Sequence, residues 1–286
     1  MNYYKNFNFT EAEKLIRLAL KEDIGKGDIT SEYFIPVNAD SKADLLIKEN
    51  GIIAGLEIFK FVFKIVDKNV KVSFSKNEGM QVFAGDVIGK VKGNTRSLLK
   101  GERLSLNLLQ RMSGIATQTF ELIKKLNNKS IKIIDTRKTT PNLRIFEKLA
   151  VRIGGGENHR TGLYDMVLIK DNHIEANRGI EKTLDALLGK KIKEKVEIEV
   201  KDLNELKIVI AKGKGKIDRV MLDNFKITDV IKAVELNKGL FELEISGGVN
   251  LKNIGKYSGV KGVDYISTGS VTHSVKSMDI SLNFIT

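Results

Sequence analysis

Three short segments of the chain carry groups suited to gripping anions. They are Asp135-Thr136-Arg137-Lys138, Asn158-His159-Arg160 and Lys170-Asp171-Asn172-His173. Arginine meets carboxylate and phosphate with a planar two-point fork, and lysine meets them as a compact charge. Glu199 and Asp223 are acids of a different kind, each closing a short apolar run. Two carboxylates on neighbouring strand ends can hold Mg2+, which takes hard oxygen ligands and keeps several waters. Ser246-Gly247-Gly248 and Ser267-Thr268-Gly269-Ser270 are turns whose backbone N–H groups can face a phosphate. Together these groups call for reactants bearing carboxylates, a phosphomonoester and a metal-bound pyrophosphate.

The elements that must position them follow from the apolar pattern. From residue 131, six short runs recur with helical stretches between them: 131–135, 166–169, 196–200, 219–223, 241–246 and 263–267. Runs apolar on both faces and followed by helices indicate a parallel sheet, and six of them in one domain favour a barrel or open barrel. Each chemical segment above closes one of these strands or lies in the loop that follows it. In parallel β/α architectures the C-terminal rim of the strands is the active face. No GxGxxG follows a first strand, which weakens a dinucleotide-binding reading.

The first part of the chain reads differently. Thr10-Glu11-Ala12-Glu13 looks like a capping box, and GKGDIT (25–30) like a turn. Short strand-like runs at 43–48, 71–74 and 86–91 surround a helical stretch at 55–66, which describes a small α+β layer domain. A long helical pattern over 97–126 is expected to break near Ser113-Gly114, the expected domain boundary. DISLNF (279–284) alternates apolar and polar and reads as a strand that returns to the first domain.

Composition narrows the function class. The chain of 286 residues has no cysteine, which removes disulfides and thiol nucleophiles and fits a reducing, cytoplasmic setting. Its N-terminus lacks the layout of a secretory signal, and no apolar run approaches membrane-spanning length. Three histidines without zinc spacing argue against a catalytic zinc. The formal charge of +12 admits a lysine-rich surface, a nucleic-acid face or a field focused on an anionic substrate. Eight of the ten arginines fall between 96 and 178, while lysines are spread throughout, so the recognition chemistry is local.

The stretch DTRKTTPNLRIFEKLAVRIGGGENHRTGLYDMVLIKDNH (135–173) closely resembles the signature region of the quinolinate phosphoribosyltransferases. The resemblance extends to EDIGKGDITS (22–31), GERLSLNLLQRMSGIAT (101–117), EIEV (197–200), MLDN (221–224), EISGG (244–248) and ISTGSVTHS (266–274). It implies an α/β fold: an open α/β barrel of parallel strands with a smaller N-terminal α/β sandwich domain. The sandwich would take residues 1–113 together with a C-terminal strand in 276–286, and the barrel residues 114–275. The implied reaction joins quinolinate to phosphoribosyl pyrophosphate with Mg2+, giving nicotinate mononucleotide, pyrophosphate and CO2 in NAD biosynthesis. By motif match, Thr136, Arg137, Lys138, His159 and Arg160 line the quinolinate pocket. Lys170, Glu199 and Asp223 serve the ribosyl pyrophosphate, the last two also as metal ligands, and Lys138 joins these three in catalysis. Ser246, Gly247, Gly248, Ser267, Thr268 and Gly269 hold phosphate, and Arg103 reaches the neighbouring subunit's site in a homodimer or higher assembly.

Two positions depart from the family pattern. Asn142 stands where glycine is expected after Thr-Thr-Pro, and GKGKID (213–218) lengthens the interval between Glu199 and Asp223. His173 reads as a loop-orienting residue. Other readings remain open at this level: a same-fold transferase with another acceptor (molybdenum-transport-associated type), a Schiff-base aldolase using Lys170, and a nucleic-acid binder.

Overall fold

A computed structural model describes residues 3–285. Positions 1, 2 and 286, the outer ends of the segments assigned to the first domain, lie outside the described residues. The chain forms two compact units. One holds the chain up to Phe120, then Thr139–Gly155, then Val271 onward; the other holds Glu121–Lys138 and Gly156–Ser270.

In the first unit, α1 (Phe9–Ile24) is capped by Asn8, whose side chain accepts from the Glu11 N–H at 3.1 Å, so the cap lies two residues before the expected Thr10. After α2 (Ile29–Phe34) comes β1 (Asp40–Ile47), which buries Ala43, Leu45 and Ile47 on one face by simple alternation. It pairs antiparallel with β5 (Val87–Asn94) and with β12 (Ile280–Ile285), and β3 (Lys71–Phe74) completes the order β12-β1-β5-β3, while the two-residue strands β2 (Gly51–Ile52) and β4 (Gln81–Val82) pair with each other. The C-terminal strand therefore does return to this sheet. Its apolar face packs on Phe59 and Phe63 of α3 (Leu56–Val66) and on Leu98, Leu106 and Leu109 of α4 (Thr95–Leu126).

Helix α4 corrects one expectation, because it runs without a break through Ser113-Gly114. The small residues are there for packing. Ser113 Oγ accepts from the Ala54 N–H at 3.0 Å and donates to the Ala54 carbonyl at 3.2 Å. A Cβ on Gly114 would press into the carbonyl of Lys276. The stretch after the first barrel strand also differs from expectation: much of it is a helix, α5 (Arg144–Ile153), in this unit. Asn142, the departure from glycine, has φ +63°, a left-handed conformation that asparagine tolerates better than most residues.

The second unit holds six parallel strands: β6 (Lys132–Ile134), β7 (Val167–Ile169), β8 (Val196–Val200), β9 (Arg219–Asp223), β10 (Glu242–Ser246) and β11 (Tyr265–Ser267). Their order is β6-β11-β10-β9-β8-β7. From β7 to β11 each crossover moves one place in the same direction. Right-handed crossovers then put every helix on one face, so the sheet curls. The position of β6, beside β11 rather than beside β7, nearly closes the ring; the seam lies between β6 and β7, where residues 135–166 intervene. This is an open α/β barrel.

Strand alternation gives the barrel two unlike faces. Val200, Leu222, Ile245, Ile266 and Ile133 form one registered apolar row, each no more than 1% exposed. Helices α6 (Asp171–Ala176), α7 (Ile180–Leu188), α8 (Leu203–Lys212) and α9 (Ile227–Asn237) surround it, touching in sequence order. The opposite row, Glu199, Met221, Glu244 and Tyr265, is largely polar and faces the lumen, with Glu197, Arg219 and Glu242 one layer below. The GKGKID insertion is absorbed in a turn between α8 and β9, where the N–H groups of Lys216 and Ile217 both reach the Gly213 carbonyl and Gly215 has φ +77°. Asp223 keeps its register with Ser246 at the rim.

Candidate functional site

The rim of the barrel holds a cavity of about 150 Å3 lined by Thr136, Arg137, Lys138, His159, Arg160, Leu168, Lys170, Met221, Glu244, Ser246 and Ser267. Eight of these were picked out from sequence, and they come from four strand ends and one loop. The loop is held by Asp135, fully buried at the end of β6, whose carboxylate accepts from the His159 N–H at 2.9 Å and from Asn158 Nδ2 at 2.6 Å. The same loop adds a single bridge from Glu157 to Ile134 of β6. His159 and Arg160 thus enter the lumen from a loop pinned to the first strand.

The cavity is electropositive by construction. Burial, and then the neighbouring Arg137 charge, lower the proton affinity of the Arg160 guanidinium, against the pull of Asp165 and Glu197. Two guanidinium groups that repel each other across a small cavity are stabilised by an anion between them. Arg160 Nη1 also donates to the Met166 carbonyl at 3.3 Å, which fixes the side chain.

Lys170 Nζ donates to Glu199 Oε2 at 2.9 Å. Glu199 lines a second, larger cavity of about 490 Å3, with Asp171, Glu175, Arg178 and Glu205 among its walls. His173 accepts the Lys170 N–H on Nδ1 at 3.0 Å, the loop-orienting role read from sequence. Asp223 Oδ2 accepts from Asn224 Nδ2 at 2.7 Å. Glu199 and Asp223 share the lumen-facing side of adjacent strands and offer only hard oxygen donors. That set fits Mg2+, which needs one or two carboxylates with waters and substrate phosphates making up the rest.

The two Gly/Ser turns are braced from inside. Gly247 and Gly248 have φ +101° and +60°, and a Cβ on Gly247 would collide with the Asn224 side chain. Thr268 Oγ1 donates to the Val249 carbonyl at 2.6 Å and accepts from the Ser270 N–H at 3.1 Å, while the Thr268 N–H reaches the Ile134 carbonyl. The Thr268 hydroxyl therefore locks one turn to the other. The helix after the second turn is only Ser270–His273, and a short 3-10 turn, Ile254–Tyr257, follows the first. Arg103 is not among the residues lining this cavity; it is exposed on α4, in the other unit.

Sequence reasoning missed the floor of the lumen. Glu197 and Glu244 are fully buried; His159 Nε2 lies 3.0 Å from Glu197 Oε2 and 3.6 Å from Glu244 Oε2. Arg219 Nη1 donates to Glu244 Oε2 at 3.1 Å, Nη2 to Glu242 Oε2 at 3.2 Å, and the guanidinium stacks on Tyr265 at 3.8 Å. Burial raises both acids to about 7; for Glu244 the Glu197 charge adds to the rise, and Arg219 opposes it in both. The signal was present, since Glu197 precedes Glu199 by the two residues that keep it on the same strand face.

Comparison with known proteins agrees with this layout. Residues 28–113 match the family Quinolinate phosphoribosyl transferase, N-terminal domain, and residues 115–283 match the corresponding C-terminal domain. The chain is 43% identical to quinolinate phosphoribosyltransferase [decarboxylating] 1b of Nicotiana tabacum, over 95% of this chain and 82% of that protein. It is 42% identical to the probable nicotinate-nucleotide pyrophosphorylase [carboxylating] of Bacillus subtilis, over 96% of this chain and 94% of that one. The solved nicotinate-nucleotide pyrophosphorylase of Francisella tularensis superimposes with a TM-score of 0.91 at 38% identity, covering 100% of both chains.

Proposed function

This chain belongs to the quinolinate phosphoribosyltransferase family, and from that premise we propose how its residues divide the work. The reaction is transfer of a phosphoribosyl group from phosphoribosyl pyrophosphate to quinolinate, yielding nicotinate mononucleotide, pyrophosphate and CO2 for NAD biosynthesis. The observation that carries the residue assignment is the pairing of Arg137 and Arg160, with Lys138 and Lys170, around one small cavity. At about 150 Å3 it suits a single ring with its carboxylates and leaves the larger donor to lie across the open rim.

The acceptor nitrogen is an uncharged lone pair and needs no strong base. The demand is to stabilise positive charge on the ribose as pyrophosphate departs. Glu199 and Asp223, aimed into the lumen from neighbouring strands, supply that negative field and contact the ribose hydroxyls. Lys138 and Lys170 offset charge on the leaving group, while Arg137 and Arg160 fix the dicarboxylate so that its nitrogen faces the sugar. Mg2+, held by Glu199 and Asp223, would neutralise pyrophosphate charge. The Ser246-Gly247-Gly248 and Ser267-Thr268-Gly269 turns take the phosphomonoester. Once the ring is ribosylated it is cationic, which favours loss of the adjacent carboxylate as CO2.

We place the enzyme in the cytoplasm as a homodimer or higher assembly, with Arg103 of one subunit completing the other's site. Support comes from the exposed position of Arg103 and from an exposed apolar group around α2: Ile29, Tyr33, Phe34 and Val37, at 69%, 84%, 78% and 67%. No helix among the described residues is long and apolar enough to cross a membrane. The aldolase alternative asks for an amine at Lys170 free to attack a carbonyl, whereas Lys170 Nζ is held by Glu199 Oε2 at 2.9 Å.

The test is product analysis with quinolinate, phosphoribosyl pyrophosphate and Mg2+. Equimolar CO2, pyrophosphate and nicotinate mononucleotide are expected. Activity with another pyridine acceptor but not quinolinate would move the chain to a same-fold relative, and borohydride trapping on Lys170 would favour the aldolase.

A further inference from the structure

Arg160 lines the acceptor cavity and reaches the Met166 carbonyl with Nη1 at 3.3 Å. That carbonyl lies just beyond the turn Thr161-Gly162-Leu163-Tyr164-Asp165, so the guanidinium is only as well placed as the turn. Leu163 and Tyr164 at its tip are exposed, so the core of the unit does not hold its shape. Asp165 does. Its Oδ2 accepts from the Thr161 N–H at 2.6 Å and its Oδ1 from the Gly162 N–H at 3.2 Å. Burial works to raise the Asp165 carboxyl, yet those N–H groups hold it below its ordinary value, as an ionised acceptor. A Cβ on Gly162 would run into the Tyr164 ring, so the turn is folded closely on itself.

The two closures are nested. The inner one ties Asp165 to residues 161 and 162; the outer one ties the Arg160 side chain to Met166, the residues immediately outside. Both flanks are fixed to strands. The His159 N–H is held by Asp135 at the end of β6, and Val167 opens β7 with its N–H on the Lys195 carbonyl at 3.0 Å. Between those anchors the inner closure sets the path from Arg160 to Met166. We infer that Asp165 is a positioning residue for acceptor binding: by closing the 161–165 turn it aims the Arg160 guanidinium into the cavity shared with Arg137.

The energetics explain why a clamp is needed. Burial and the Arg137 charge both work against the Arg160 guanidinium, and Asp165 and Glu197 oppose them. With no ligand between the two cations, a long side chain can relieve the repulsion by swinging toward water. A guanidinium meets a carboxylate with two parallel bonds only when its plane is correctly turned. Fixing that plane in advance removes the ordering cost from the binding step. Asp165 does this without meeting the acceptor, since it is not among the residues lining the cavity. A carboxylate in this region could instead ligate a cation or a ribose hydroxyl, but both Asp165 oxygens are turned to the amides of its own turn.

The role in binding rests on the proposed reaction; the placement of Arg160 does not, so the first measurement uses no substrate. With 15N-arginine in the intact protein there are ten guanidinium groups to resolve, and an Arg160→Ala sample identifies the one that disappears. By 15N relaxation the Arg160 Nε–H should be ordered in wild type and mobile in Asp165→Ala. A signal equally ordered in both overturns the inference. The second measurement is a binding cycle, read by calorimetric titration with quinolinate. Asp165→Ala should weaken binding roughly tenfold, but should add almost nothing in the Arg160→Ala background. In turnover, KM for quinolinate should rise more than kcat falls. Asp165→Asn keeps an oxygen for one amide and should recover part of the loss. Equal weakening in both backgrounds, or a lower melting temperature with quinolinate affinity unmoved, would make Asp165 merely structural and overturn the assignment. Should alanine prevent folding, Asp165→Ser, whose hydroxyl is too short to bridge both amides, is read in the same cycle. Failure of the wild type to bind quinolinate, with Arg160 still freed in Asp165→Ala, would overturn the proposed reaction and leave the positioning of Arg160 supported.

Discussion

Arg137 and Arg160 share one cavity, and an anionic ligand between them offsets their mutual repulsion. Each guanidinium–carboxylate contact is a charge-assisted pair worth roughly 1.5–3 kcal/mol. Arg137→Ala should therefore weaken quinolinate binding by roughly 10- to 100-fold, with a smaller change in kcat; calorimetric titration checks the affinity, and an unchanged value would remove Arg137 from the acceptor pocket. Glu199 has a different task. In the proposed mechanism its carboxylate meets charge that exists only as the ribosyl bond breaks, so Glu199→Ala should lower kcat by about 100-fold while the donor's KM moves much less. Near-normal turnover would count against it. The exposed strand-end residues were legible in the sequence because charged side chains after apolar runs have no packing reason to be there. Glu197 and Glu244 were not, because a glutamate inside an apolar run looks like alternation until the strands are registered and both prove fully buried.

At the scale of single elements, the strands were read within a residue or two, since six apolar runs between turns admit few alternatives. Two helical features escaped. Ser113-Gly114 reads as a break when only propensity is weighed, whereas in α4 both residues answer to neighbours distant in sequence, Ala54 and Lys276. Helix α5 was hidden by ligand-like residues on either side of it. Gly114→Ala separates propensity from packing. Alanine should gain up to ~1 kcal/mol as a helix former, but its Cβ would meet the Lys276 carbonyl, and overpacking costs about 1–3 kcal/mol. Packing should win, and the variant should melt below wild type in a thermal scan. A higher melting temperature would mean that the C-terminal segment yields easily.

For the molecule as a whole, the acids of the lumen give stability an unusual dependence on pH. Glu197 and Glu244 sit near 7 in the folded barrel, above the ordinary 4.5. Below about pH 4.5 folded and unfolded chains both keep these protons. Between about 4.5 and 7 the unfolded chain releases what the barrel retains, so stability should fall as pH rises through that window and level off above it. The acids whose folded pKa is lowered, Asp28, Glu49, Asp67 and Asp165, act in the opposite sense but at lower pH, as their own carboxylates protonate. Thermal melts from pH 5 to 8 should thus decline toward neutrality, and Glu244→Gln, which cannot titrate, should flatten the slope. A melting temperature that climbs from pH 5 to 7 would refute the assignment of protons to the lumen.

The seam between β6 and β7 has a consequence for how such a protein can change. Thirty-odd residues leave the ring at that gap and return carrying His159 and Arg160, while Glu199, Asp223 and the two glycine turns stay on the stitched staves. Apart from the Glu157–Ile134 bridge, the ladder hydrogen bonds of the ring do not run through the excursion. On the proposed function, acceptor choice can therefore drift, or be engineered, in the stretches of that excursion outside α5 without disturbing the pairing of the six strands.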